Sequence, residues 1–266
     1  MRAEEIKRLL EEVARGDLSP EQAAGRLVHM PYEDLGFARL DHHRILRRGF
    51  PEAVYGEGKT ASEIGRILDA FVAQKVPAIV TRLDERKAKV LKKARPALVY
   101  HPRCGLAYLG PPPGKGVGRV VVVSGGTSDA PVAEEAHWTA RYLGARSELH
   151  PDVGVAGLHR LTALLPALQE ARVVIAVAGM EGALPSVVAG LTPALVLGVP
   201  TSVGFGVQDH GKTALFAMLS SCVPGLVVVN VDGGFSAGYA AAVVNRLKEE
   251  RPAHHKGHKA HKERRG

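Results

Sequence analysis

The sequence predicts an α/β protein, with a flavodoxin-like doubly wound parallel sheet in residues 118–248 and a smaller α/β or α+β unit before it in residues 1–114. Three observations lead there. Apolar, β-branched runs recur at Arg119–Ser124, Arg172–Ala178, Ala194–Val199 and Leu226–Val231, with a weaker strand near Arg146–His150. Helical patterns near 131–143, 157–170, 182–190, 211–222 and 234–248 alternate with these runs. The strands are apolar on both faces, which calls for a parallel sheet covered by helices on both sides. In a sheet of this kind ligands bind at the carboxyl ends of the strands, where the chain order reverses. The residues of interest should therefore lie in the loops just after each strand.

The two units meet at Gly110-Pro111-Pro112-Pro113-Gly114-Lys115-Gly116, a run that continues neither helix nor strand. In the first unit, Ile6, Leu9, Leu10 and Val13 share one face of a helix over about 3–15. Ser19-Pro20-Glu21-Gln22 reads as a helix start, with Ser as cap and Gln at the capping-box position. Thr60 with Glu63 repeats that logic and opens a helix to about residue 74. Ala78–Thr81 and Ala97–Tyr100 read as short buried strands around a charged helix over 84–94.

Composition excludes several classes. Of 266 residues, 45% are hydrophobic and 23% charged, which excludes a disordered or fibrous chain. No apolar run reaches the ~18 residues of a membrane span, and Met1–Glu12 lacks the pattern of a secretory signal. Cys104 and Cys222 do not make a disulfide scaffold, so the expectation is a cytoplasmic protein whose thiols are each possible nucleophiles. Net charge is +8, but residues 251–266 hold six Lys/Arg against one Glu, leaving +3 for the rest. The folded part lacks the basic stripe interleaved with aromatics that nucleic-acid grooves use, so neither nucleic acid nor membrane is expected as a partner. The tail carries four histidines and reads as disordered, with incidental metal affinity.

Four loops hold the candidate site residues. Ser124-Gly125-Gly126-Thr127-Ser128-Asp129 offers glycines, helix-start amides and hydroxyls to an anion, although Ser128 or Asp129 can equally be an ordinary cap. It is not a dinucleotide fingerprint. His159 and Arg160 open the helix after the second strand, as an acid–base group and an anion grip or as a solvated helix start. Glu181 is the only charge in the glycine-rich turn 178–186, as a base, a magnesium ligand or a dipole partner. The loop 200–213 holds Asp209, His210 and Lys212. Its Gly211-Lys212-Thr213 resembles the end of a P-loop, and the expectation places Gly206 out of register and sets that motif aside. Gly58-Lys59-Thr60 mimics the same motif but has Ala53 at the first glycine, so an ATPase is rejected there too. The segment 47–60 around it still reads as a binding surface. Cys222 lies in Ser221-Cys222-Val223-Pro224-Gly225, as core residue or nucleophile.

The Thr127-Ser128-Asp129 loop, the His159-Arg160 pair and Gly182-Ala183-Leu184-Pro185-Ser186 before Leu197-Gly198-Val199-Pro200 resemble PurE, the aminoimidazole-ribotide carboxylase family. The whole chain is more similar still to the LarB family of nickel-pincer cofactor biosynthesis, a carboxylase/hydrolase family. Arg48-Gly49-Phe50-Pro51-Glu52, Tyr55-Gly56-Glu57-Gly58-Lys59-Thr60, Gly179-Met180-Glu181-Gly182 and Ser221-Cys222-Val223-Pro224-Gly225 before Val229-Asn230-Val231-Asp232 carry that likeness over about 35–245. Two departures from PurE count: Ala183 stands where its loops usually have a histidine, and PurE has no counterpart to the N-terminal unit.

The LarB resemblance implies carboxylation of the pyridinium ring of nicotinic acid adenine dinucleotide and cleavage of its phosphoanhydride. The products would be pyridinium-3,5-biscarboxylic acid mononucleotide and AMP. It implies Cys222 as nucleophile, with Glu181 and His159 in proton transfer or as possible ligands of a divalent cation such as magnesium. Thr127, Ser128, Asp129, Arg160 and Lys212 would bind substrate. CO2 or bicarbonate is the co-substrate, no tightly bound organic cofactor is expected, and the PurE likeness implies a homo-octamer. Two alternatives stand beside it: a PurE-like carboxylase or mutase on aminoimidazole ribotide, and a non-enzymatic nucleotide- or metal-binding accessory protein.

Overall fold

The computed structural model of the chain describes residues 3–28, 32–41, 44, 49–50 and 52–247. The tail 251–266, with its histidines, and Arg47, Arg48 and Pro51 of the first motif lie outside the described residues.

Two helices come first, α1 (Ala3–Arg15) and α2 (Pro20–Val28). Ser19 caps α2: its Oγ accepts from Gln22 N at 3.1 Å, and Gln22 Oε1 accepts from Ser19 N at 3.0 Å. The hairpin β1 (Tyr32–Asp34) and β2 (Arg39–Asp41) follows, antiparallel. Next comes a four-stranded mixed sheet in the order β3 (Ala53–Tyr55), β4 (Ala78–Thr81), β6 (Leu106–Leu109), β5 (Val99–His101). Helices α3 (Ala61–Ala73) and α4 (Glu85–Ala94) cover one face, burying Ile64, Leu68, Phe71 and Leu91. Thr60 and Glu63 make the capping box of α3, so Thr60 serves the helix and not a phosphate. The strand expected at 97–100 lies at 99–101, and Val99 is exposed at the sheet edge rather than buried.

The second sheet holds five parallel strands: β7 (Val117–Ser124), β8 (Ala145–His150), β9 (Val173–Ala178), β10 (Leu195–Pro200) and β11 (Leu226–Val228). Their spatial order is β11-β10-β9-β7-β8, every pair parallel. This is the flavodoxin-like order, whose switch point lies between β7 and β9. Side chains alternate between two cores. Val121, Val123, Val174 and Ala176 face α6 (Leu158–Thr162), α7 (Leu165–Glu170), α8 (Leu184–Ala189) and α9 (Lys212–Leu219). Val120, Val122, Val173 and Ile175 face α5 (Ala130–Tyr142) and α10 (Gly234–Leu247).

The free face of the four-stranded sheet packs on α5 and α10. Ile79, Leu106 and Tyr108 meet Leu143 and Ala242 there, with Trp138, Tyr142, Phe235 and Tyr239 around them. The first unit is thus seated on the outer helices of the second. Cys104 is buried in this interface, and burial pushes its thiol up to about 12. Among the described residues no helix is long and apolar enough to cross a membrane.

Candidate active site

The loops after β7, β8, β9 and β10 close around a cleft of about 370 Å³ at the switch point. Its walls are Gly125, Gly126, Ser128 and Asp129, then Gly154 to Ala156, Gly179 to Glu181, Ala183, Leu184, and Val203 to Phe205.

Asp129 ties the cleft together. It is buried, and its Oδ2 accepts from Gly126 N at 2.8 Å. Its Oδ1 accepts from Gly179 N at 3.1 Å and from Thr201 Oγ1 at 2.7 Å. One carboxylate therefore links the loops after β7, β9 and β10. Sequence reasoning gave Asp129 to the substrate; the structure commits its oxygens to three protein donors. Two glycines let the walls approach. A Cβ on Gly179 would stand 2.2 Å from Val203 O, and one on Gly154 2.6 Å from Gly125 O.

The other expected residues divide. Ser128 and Glu181 line the cleft and are exposed. Thr127 is exposed beside them, its carbonyl accepting from Arg103 Nη2 at 3.0 Å. Ala183 also lines the cleft, so that position carries no proton. His159 is exposed and does not line the cleft. Arg160 is held by Asp152 at 2.5 Å. Lys212 is held by Asp209 at 2.8 Å, and that contact lowers the Asp209 carboxyl.

Cys222 is exposed and also lies off the cleft, between α9 and the edge strand β11. Ser186 Oγ, in the first turn of α8, donates to Ser221 Oγ at 2.8 Å, which fixes the residue next to the thiol. Near it in sequence, Phe216 and Leu219 of α9 and Val227 of β11 are exposed apolar side chains.

The P-loop reading needs a correction. Gly206 stands five residues before Gly211, so Gly206–Thr213 meets the G-x-x-x-x-G-K-T spacing after all. The loop uses those groups on itself. Lys212 reaches Asp209, Thr213 Oγ1 donates to Val207 O at 3.0 Å, and Gly211 N donates to Gln208 Oε1 at 2.7 Å. In the other mimic, Lys59 Nζ donates to Tyr55 O at 3.0 Å, another inward-turned cation.

Sequence reasoning missed three groups. Thr201 was one of several hydroxyls in its loop. Arg82 and Arg103 come from the first unit and gave no local signal. Arg82 Nη2 donates to Asp232 O at 2.6 Å, and its Nε lies 3.9 Å from Glu135 Oε1. Glu135 is buried, which raises its carboxyl although Arg82 and the Phe235 N–H oppose the shift.

Comparison with known proteins finds relatives of this sequence. Residues 32–110 match a LarB/PurE-like N-terminal domain, and residues 119–264 match the AIR carboxylase domain. The chain is 36% identical over 260 residues to an uncharacterized protein of Methanocaldococcus jannaschii, covering 91% of this chain and 97% of that one. It is 34% identical over 138 residues to the N5-carboxyaminoimidazole ribonucleotide mutase of the same organism, covering 49% of this chain and 81% of the mutase. Crystal structures of a Treponema denticola PurE2 variant and of Treponema denticola PurE align with TM-scores of 0.38 and 0.37 at 17% and 18% identity. They cover 49% of this chain and 89% and 90% of theirs.

Proposed function

From the premise that this chain belongs to the LarB family, a LarB/PurE-like N-terminal domain followed by an AIR carboxylase domain, we propose that it carboxylates the pyridinium ring of nicotinic acid adenine dinucleotide and hydrolyses its phosphoanhydride. The observation that carries the reading is the exposed thiol of Cys222, which lies off a cleft whose Ala183 offers no acid or base.

A pyridinium ring is too electron-poor to attack CO2. The Cys222 thiolate adds to the ring carbon para to nitrogen, and the pair that leaves that double bond makes an enamine. The unsubstituted meta carbon then attacks CO2, forming one carbon–carbon bond. Loss of its proton and expulsion of the thiolate restore the aromatic ring, so the sulfur is regenerated and no electron is gained or lost. Glu181, the exposed carboxylate of the cleft, takes the proton. Water cleaves the phosphoanhydride separately and releases AMP. The cleft, about 370 Å³, suits one nucleotide half rather than a whole dinucleotide.

Among the described residues no three His, Cys, Asp or Glu side chains gather to hold a metal. Magnesium needs no such cage, since it is commonly held by one or two carboxylates with substrate phosphates and water. In the separate hydrolysis step Glu181 would fit that part in place of its proton-accepting one, and the ion would neutralise phosphate charge. His159 and Lys212 receive no step. Phe216, Leu219 and Val227 support a homo-oligomer in which a second copy covers Cys222 and brings it to a cleft. A cytoplasmic site of action belongs to the same proposal.

The test is incubation with nicotinic acid adenine dinucleotide, labelled bicarbonate and magnesium, followed by mass spectrometry. The expected product is a labelled mononucleotide heavier by one carboxylate, with AMP. Label transfer to aminoimidazole ribotide instead would replace this reading with the PurE-like one.

A further inference from the structure

The N-terminal unit reaches the cleft through two arginines, and each ends on a backbone carbonyl that belongs to a cleft loop or to its support. Arg82 follows β4 and donates to Asp232 O at 2.6 Å. Asp232 holds the loop after β10: its Oδ1 accepts from Ser202 N at 2.9 Å, and its N donates to Pro200 O at 2.8 Å. Val203, Gly204 and Phe205, the next residues, line the cleft. Arg103 lies in the turn between β5 and β6 and donates to Thr127 O at 3.0 Å. Thr127 opens the 3-10 turn that carries Ser128 and Asp129.

The two arginines share one base. Leu83 N donates to Gly105 O at 2.8 Å, which ties the residue after Arg82 to the backbone two residues after Arg103. Each guanidinium also has an acidic partner on α5. Arg82 Nε is 3.9 Å from Glu135 Oε1, and Arg103 Nη1 is 3.3 Å from Glu134 Oε1. A planar guanidinium can hold a carbonyl and a carboxylate at once; an ammonium replaces one of these contacts but not their fixed geometry.

We propose that Arg82 and Arg103 are positioning residues, a two-armed clamp by which the N-terminal unit holds the loops 124–129 and 200–205 at the separation the substrate requires. The clamp rests on the reading of the cleft as the substrate site. It gives the first unit a part in catalysis without touching substrate, since a misplacement of 1 Å can cost about 100-fold in rate.

A purely structural role predicts something different, and Arg246 supplies the control. It also bridges the two units, donating to Gly49 O at 2.9 Å and Leu143 O at 3.1 Å and stacking on Phe50, away from the cleft loops. The experiment compares full-length wild type, Arg82→Met, Arg103→Met, Arg82→Lys, Arg103→Lys and Arg246→Met. Amide hydrogen exchange is followed by mass spectrometry without ligand, and steady-state kinetics use nicotinic acid adenine dinucleotide and bicarbonate. Arg82→Met is expected to speed exchange in 201–205 and Arg103→Met in 125–129. Each lowers kcat by about tenfold or more, as for loss of a charge-assisted hydrogen bond. The lysine variants recover part of both losses. Arg246→Met lowers Tm and leaves the exchange of these loops and kcat at wild-type values. Unchanged exchange in both methionine variants overturns the clamp, as does equal loosening of these loops by Arg246→Met. Loosened loops in a wild-type background that turns over no dinucleotide support the clamp and overturn the substrate reading.

Discussion

Asp129→Asn changes one atom at the centre of the cleft, and its cost follows from the bonds that atom makes. The carboxylate accepts from Gly126 N, Gly179 N and Thr201 Oγ1. An amide has one oxygen. Turned toward Gly179 and Thr201 it faces Gly126 N–H with its own NH2; turned the other way it faces Gly179 N–H. Either way one donor, the part-buried Gly126 N–H or the buried Gly179 N–H, loses its acceptor, at about 1–3 kcal/mol. Asp129→Ala strands all three donors, and water entering from the open cleft recovers part of the loss. The expected destabilisation is about 2 kcal/mol for Asn and about 4 kcal/mol for Ala. Urea unfolding at neutral pH, read by fluorescence of Trp138, measures both, and Asp209→Asn, whose carboxylate pairs with Lys212 in solvent, serves as the exposed-pair control with an unchanged midpoint. Asp129→Asn as stable as wild type would refute the hub.

Three further outcomes follow from other contacts. Burial, with Arg141 and His101 adding to it, lowers His137 from 6.5 to about 4. The unfolded chain binds the proton first as pH falls, so this contribution is complete above pH 6.5 and is lost toward pH 4, at most ~3 kcal/mol in all. In His137→Gln the acid slope of Tm should flatten, with the slope from His101, also lowered by burial, remaining. An unaltered slope contradicts the assignment. Gly179→Ala puts a Cβ 2.2 Å from Val203 O and 2.6 Å from Thr201 Oγ1, so a loss of about 3 kcal/mol in denaturant unfolding is expected; a neutral result would mean the loops separate freely. Light scattering should show wild type as an oligomer and Phe216→Glu with Val227→Glu as a smaller species, while a monomeric wild type excludes the proposed coverage of Cys222.

The parallel sheet was legible because its strands are apolar on both faces: Val120 to Val123 are all fully buried. Several boundaries were not. The helix expected over 157–170 is two helices, because Pro166 starts a new one at Leu165. The strand expected to Val231 ends at Val228, where pairing to β10 stops. β3 and β6 escaped notice, as three- and four-residue strands among glycines and prolines. The cleft loops followed from topology alone. Within them, Asp129 read as a ligand-facing cap because its partners Gly179 and Thr201 are 50 and 72 residues away. Arg82 and Arg103 gave no signal because their meaning lies in contacts between units. Cys104 and Cys222 looked alike as letters; burial of the one and exposure of the other distinguish them.

The central claim is a covalent bond between Cys222 and the pyridinium ring. Rapid quench of the protein turning over nicotinic acid adenine dinucleotide, then peptide mapping by mass spectrometry, tests it directly. The account predicts a transient substrate-derived mass on the peptide holding Cys222 and none on Cys104. It also predicts a folded Cys222→Ala variant that neither carries the mass nor incorporates labelled bicarbonate. Cys222→Ala carboxylating the dinucleotide at the wild-type rate would contradict it.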